Sequence, residues 1–354
     1  MTMKPSPAQL HLHNVMGAES MRRHVSKIGA AFCVFAGLAA GPAFATEGGA
    51  SLYVPGLRGP LSGLVPPPGF YFQNDFYSYS GSLPGSRRLQ LGGAVLSDVK
   101  VEARIDFVTP TWVTPLEILG GNLGFAVTLP FGVPRISAGA LVAAPRLGRV
   151  FAFSQRDATF NIGDPIVTSF IGWHSGNFHW TTGVAVNIPA GAYQEGQLSN
   201  VALNRWIGDL YGAVTYLNTT TGLEISAAGG FEINGTNNAT DYNSGNAIHA
   251  DLSISQYLSK DFSIGVQVGH YQQVSGDSGS GASLGPFKGR TTAIGGTIGY
   301  NFEVGGVPIS TRLKVLREVG VENRPRGTIG LFTVAFPLGG QAAPAAPRPT
   351  IVKH

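Results

Sequence analysis

Residues 98–107 read DVKVEARIDF. Val99, Val101, Ala103, Ile105 and Phe107 fall on one face of an extended chain, and Lys100, Glu102, Arg104 and Asp106 on the other. A period of two marks a β-strand with two unlike faces. The rhythm returns over 222–233, 247–258, 262–273 and 291–304. In 247–258, Ile248, Leu252, Ile254 and Leu258 oppose His249, Asp251, Ser253 and Ser255. In 262–273, Phe262, Ile264, Val266 and Val268 oppose Ser263, Gln267, Tyr271 and Gln273. Each run is about ten to fourteen residues, whereas soluble strands average about five or six. A tilted strand crosses a bilayer in about nine to eleven.

Composition narrows the choice. Hydrophobic residues make up 43% of the 354 and charged residues only 12%, against a globular share of about 25% charged. Low charge with ample apolar content excludes a disordered chain. The 50 glycines have no three-residue period, which excludes collagen. No run of about 18 apolar residues occurs, which excludes helical membrane spans. A charge-poor, apolar chain without a spanning helix is left with the closed β-barrel, the other structure that satisfies its own backbone in lipid.

The first 45 residues read as an address. Arg22, Arg23 and Lys27 precede the apolar stretch Ile28 to Ala40, and Ala43-Phe44-Ala45 supplies a small-residue cleavage site. Cleavage is expected after Ala45. Its removal leaves twenty basic and nineteen acidic residues, so the basic isoelectric point owes much to the leader and gives no argument for nucleic acid. The single cysteine, Cys33, leaves with it, and no disulfide framework exists.

The connections alternate in length. Short turns at 119–122, 174–176, 218–221, 259–261 and 305–307 separate long polar segments at 81–96, 132–160, 189–204, 234–246, 274–290 and 319–326. Short periplasmic turns and long extracellular loops are the outer-membrane barrel layout. The expected fold is therefore all-β, a transmembrane antiparallel barrel over 69–338. Twelve strands fall near 69–80, 97–117, 122–131, 161–173, 177–188, 205–217, 222–233, 247–258, 262–273, 291–304, 308–318 and 327–338. A hairpin hidden in 132–160 would make fourteen. Residues 46–68 are a periplasmic lead or a partial plug, and their apolar Leu52, Tyr53, Val54, Leu57 and Leu61 favour the plug. Residues 339–354 form a disordered Pro/Ala tail.

Little catalytic chemistry is visible. Gly281 to Gly285 matches G-x-S-x-G, but a nucleophile elbow needs a preceding strand and a following helix, and this one sits in a Ser/Gly-rich loop. No metal-ligand spacing stands out among the histidines. The expectation is a non-enzyme without cofactor or metal. Its charged and polar lumen residues are expected to be Arg104, Asp106, His249, Asp251, Tyr271, Gln273 and Arg312, together with Lys100, Glu102 and Lys314. The expected partners are outer-membrane lipid, small hydrophobic solutes and the barrel-assembly machinery, and no nucleic acid. A structural or adhesive barrel acting through its loops is the alternative to a transport barrel.

Several segments resemble the outer-membrane family named for the meta-pathway of phenol degradation. They are Pro67-Pro68-Gly69-Phe70-Tyr71, Gly163-Asp164-Pro165, Gly172-Trp173, Pro189 to Tyr193, Asn204-Arg205-Trp206, Asn237 to Gly245, Gly269 to Gln273 and Gly299-Tyr300. The family is similar in outline to long-chain fatty acid transporters. The resemblance implies uptake of hydrophobic, often aromatic, compounds across the outer membrane of Gram-negative bacteria. It assigns no functional residue and names no substrate.

Overall fold

The computed structural model describes residues 47–83, 89–91, 94–144 and 149–339. The expected signal segment and all but the first residue of the Pro/Ala tail lie outside them. Twelve strands form the wall: β1 (Gly69–Ser82), β2 (Ala94–Ile118), β3 (Gly121–Ala144), β4 (Ile166–Ser175), β5 (Phe178–Asn187), β6 (Ile207–Leu217), β7 (Leu223–Asn234), β8 (Ala247–Tyr257), β9 (Phe262–Gln273), β10 (Arg290–Val304), β11 (Val307–Glu322) and β12 (Arg326–Leu338). Each pairs antiparallel with its chain neighbours, and β1 pairs with β12 through Phe70↔Leu338 and Phe76↔Phe332. That last ladder closes the sheet and leaves no membrane-exposed edge, as the bilayer requires.

The outer face is apolar. Leu210, Ile225, Ile254, Val266, Ile298 and Leu313 are all exposed in the isolated chain, which in an outer membrane means contact with lipid. At the short-turn end, outward aromatics meet in pairs: Phe70 with Trp112, Trp173 with Trp180, and Phe178 with Tyr216. These form an interfacial girdle of the kind that flanks the apolar band of outer-membrane barrels. The long strand β2 keeps its path despite Pro110 and Pro115. Its register shifts between Val113 and Glu117, so Pro115 sits in a bulge, where a missing N–H costs no ladder bond.

The segment 132–160 is not a loop. β3 runs on to Ala144, and a strand at Arg149–Ala158 pairs back along it. This added strand pairs with β3 alone in the sheet, so it makes the wall taller without adding to the twelve. Below it the edge of β3 is taken up by Asn161–Ile162 and then by β4. The interruption falls at Gly163-Asp164-Pro165.

Candidate functional site: an apolar cavity beside a threaded lead

Residues 47–68 run inside the barrel. At the loop end, Asn237 Nδ2 donates to the Glu47 carboxylate at 2.9 Å. Ser51 Oγ and the Tyr53 amide donate to Glu232 at 2.7 and 2.6 Å. The Gly56 amide donates to Asp251 at 2.9 Å. Lys314 Nζ donates to the carbonyls of Gly56 and Leu57 at 2.9 Å each, and Gln267 Nε2 to that of Arg58 at 2.6 Å. Nearer the turn end, the Leu61 amide reaches Glu224 and the Gly63 amide reaches Thr215, both at 3.0 Å. A segment with two prolines and three glycines between Pro55 and Gly63 builds no ladder of its own. Its amides and carbonyls are satisfied by side chains of the wall instead. Gly63 lies so close that a Cβ there would sit 2.6 Å from the His179 carbonyl oxygen and the Thr215 nitrogen.

Six residues expected in the lumen face it, Lys314 on Gly56 and Leu57 being one. His249 stacks on Tyr53 with ring centroids 4.3 Å apart and bonds Asp209 at 2.9 Å. Asp251 holds Gly56. Tyr271 lies parallel to Tyr53 at 6.4 Å. Gln273 donates to Asp277 at 2.8 Å beneath the loops. Arg312 Nη1 reaches Thr297 Oγ1 at 3.3 Å. Arg104 and Asp106 point the other way, as do Lys100 and Glu102. The register opposes Asp75, Tyr77 and Tyr79 of β1 to Phe107, Ile105 and Ala103, so it is the apolar side of 98–107 that turns inward. Asp106 instead accepts from Asn74 Nδ2 at 3.0 Å on the outer surface. The physical reason is position along the strand. This part of β2 lies toward the loop end, where outside means headgroups and water and inside is apolar.

That interior is the candidate site. A cavity of about 230 Å³ lies between the lead and the β1–β3 wall. Val101, Ala103, Ile105 and Phe107 line it from β2, Tyr77 and Tyr79 from β1, and Tyr53 from the lead. Leu198, Val201 and Leu203, from the connection after β5, close it, and it extends to Asp164 and Ile166 at the interruption in the wall. The lead therefore divides the lumen. It is bonded to a polar side on β6–β9 and, through Lys314, β11, and faces an apolar side on β1–β3.

Polar groups at the cavity edge are almost all satisfied. Asp164 accepts from Asn187 Nδ2 and from the amides of Gly191, Leu203 and Asn204, all within 3.0 Å. This pins the 188–206 connection over the interruption. Glu318 accepts from Tyr79 Oη, Thr291 Oγ1 and the Gly327 amide. Arg324 stands apart. It lines the cavity, its guanidinium carbon lies 4.6 Å over the Tyr271 ring, and its buried Nη1 has no hydrogen-bond partner among the described residues. Tyr77, Tyr79, Asp164 and Arg324 were not candidates from sequence. The alternation Tyr77-Ser78-Tyr79-Ser80 was the available signal for the two tyrosines.

Above the cavity, two loops are clasped together. Asp277 accepts from Tyr242 Oη at 2.5 Å and from the Gly245 amide at 2.7 Å. Burial pushes the Asp277 carboxyl up to about 6 and raises the Tyr242 phenol as well. The G-x-S-x-G stretch sits in the same loop as a series of turns, with Ser280 bonded to Asp241.

The family described as "Putative MetA-pathway of phenol degradation" matches residues 85–332. The chain belongs to that family. The barrel is similar to an outer membrane channel from Pseudomonas putida F1, at 18% identity and a TM-score of 0.62, over 81% of this chain and all of that one. A Pseudomonas aeruginosa FadL homologue is a fainter likeness, at 9% identity and a TM-score of 0.37, over 75% of this chain and 89% of that one. No curated protein sequence matches the chain. As a member of the phenol-degradation family with this fold and this apolar outer belt, the chain is an outer-membrane β-barrel.

Proposed function

We propose that the protein admits small hydrophobic compounds, aromatic ones foremost, by passive passage through the outer membrane. The observation that carries this is the apolar cavity set in an otherwise polar, hydrogen-bonded lumen. A polar porin route would have no use for it, and a cavity of about 150 Å³ lined by apolar side chains already binds benzene. At about 230 Å³ the cavity takes one substituted ring. Arg324 offers a phenolic or carboxylate oxygen a charged donor, which is worth more than a neutral one. The interruption at Gly163-Asp164-Pro165 is the weakest stretch of wall beside the cavity, since Pro165 brings no N–H to a ladder. It is the proposed lateral exit toward lipid. The lead blocks the axial route.

The test is the initial uptake rate of labelled toluene and phenol in cells with and without the protein, beside a polar sugar of similar size. Faster aromatic uptake with unchanged sugar uptake supports the reading. Equal acceleration of all three would overturn it in favour of a general pore.

A further inference from the structure

The outer surface of the barrel is not uniform at the loop end. Six cations project outward from five of six neighbouring strands, with β1 between them contributing none. In one row of the register, Arg317 lies beside Thr328, then Ser80, Glu102 and Arg135. In the next row outward, Arg326 lies beside Ser82, then Lys100, Ser137 and Arg156. Arg104 sits one step below, opposite Ser78 and Val133. All six side chains are exposed, and among the described residues none is within ion-pair distance of a carboxylate. Glu102 is the acid among them.

Their height decides what they can touch. On β12 the outward residues are Leu338, Phe336, Val334 and Phe332, then Gly330, Thr328 and Arg326. On β3 they are Phe125, Val127, Leu129, Phe131 and Val133, then Arg135. The apolar stripe stops one outward position below Arg135 on β3 and three below Arg326 on β12. These cations therefore stand above the apolar belt, and Arg317, between exposed Val315 and Val319, stands at its margin. At the loop end of β6 and β7 the exposed residues Trp206, Phe231 and Ile233 are neutral.

We propose that this patch binds the phosphate groups of the phosphorylated glycolipid that forms the outer leaflet, the lipid A class. Charge complementarity and position select it: anionic groups, held at one height, against a curved wall. Guanidinium groups match phosphate bidentately, and five of the six cations are arginines. The serines and threonines between them add neutral donors for sugar hydroxyls. Bound glycolipid would hold the tall β2–β3 hairpin, whose inner face lines the cavity, against the membrane surface. The proposal does not depend on the uptake reading.

The test uses the detergent-solubilised barrel purified from outer membranes. Binding of bis-phosphorylated lipid A is compared with that of the same lipid stripped of phosphate, for the wild type, for Arg135→Gln/Arg317→Gln/Arg326→Gln, and for Lys260→Gln. Lys260 lies in the short turn at the opposite rim and controls for net charge. The expected result is a wild-type preference of at least tenfold for the phosphorylated lipid. The triple variant loses roughly 100-fold, at about a fivefold step per cation near a charged lipid surface, and Lys260→Gln changes nothing. The heat-shifted gel band reports that each variant is folded, and should the triple variant lose it, Arg326→Gln alone carries the test with a several-fold loss. Equal affinity for the two lipids, an equal loss in Lys260→Gln, or displacement of the lipid by millimolar inorganic phosphate, which would make this a free-anion site, each overturns the proposal.

Discussion

Glu232→Ala is expected to loosen the lead without unfolding the barrel. The Glu232 carboxylate is fully buried and accepts from Ser51 Oγ and from the Tyr53 amide. Hydrogen bonds to a charged group contribute about 1.5–3 kcal/mol each, so two give about 3–6 kcal/mol. The lower end applies, because the substitution also removes a carboxylate that is costly to bury. A loss of about 3 kcal/mol raises the population of locally released lead roughly a hundredfold. The anchors at Asp251, Lys314 and Gln267 lie further along and keep the rest in place, so release is confined to the loop-end half. In planar bilayers this appears as brief high-conductance openings, about a hundred times more frequent than in the wild type. Glu232→Gln, which keeps the volume and one acceptor, falls between. The barrel's heat-shifted gel band stays, since no ladder bond is touched. A Glu232→Ala protein as quiet as the wild type would falsify the idea that these bonds hold the lead in the lumen.

Other outcomes follow from the same geometry. Ala103→Trp fills much of the cavity and is expected to cut toluene uptake at least tenfold while the folded band persists; unchanged uptake would place the route elsewhere. Arg324→Leu removes the unpartnered donor, so phenol uptake should fall relative to toluene, and a parallel change in both would deny Arg324 any part in selection. Gly63→Val pushes the lead off the wall at His179 and Thr215 and should raise basal conductance; a silent variant would show that the lead yields there without consequence. For Asp277 the folded pKa is raised from the usual 3.8 to about 6. The docked loops then bind more protons than the opened loops between those values, so the clasp gains stability as pH falls from about 7 to 4. The gain is at most about 3 kcal/mol. Hydrogen exchange across 235–246 and 274–289 should slow on acidification after correction for intrinsic rates, and Asp277→Asn should remove that dependence.

Much was legible in the sequence because the bilayer imposes strict rules. A strand that crosses lipid must alternate and must be long, and residues 222–233, 247–258 and 262–273 could satisfy those rules in only one way. Their polar faces, with His249, Asp251, Tyr271 and Gln273, pointed inward because lipid occupied the other side. Parity and the short turns then pointed to a closed barrel with an even number of strands, twelve or fourteen. The family could be named from scattered segments because those segments hold special local geometry, such as the interruption at Gly163-Asp164-Pro165.

The stretch 98–107 marks the limit. Its alternation established a strand with two faces, but a period of two does not say which face meets the outside. Only the register against Tyr77 and Tyr79 of β1 decided that, because above the apolar belt the solvent rule reverses: charges go out, and the apolar face lines a cavity shielded by the lead. The same holds for 132–160, whose apolar pieces could have entered the wall but instead extend an existing pair. The lead's partners are separated from it by about 150 to 260 residues, so no local pattern could match Gly56 to Asp251 and Lys314. The cavity, Arg324 and the cationic rim exist only once distant strands are brought side by side. Secondary structure and membrane crossing are set by short-range periodicity, whereas the site is made by long-range pairing.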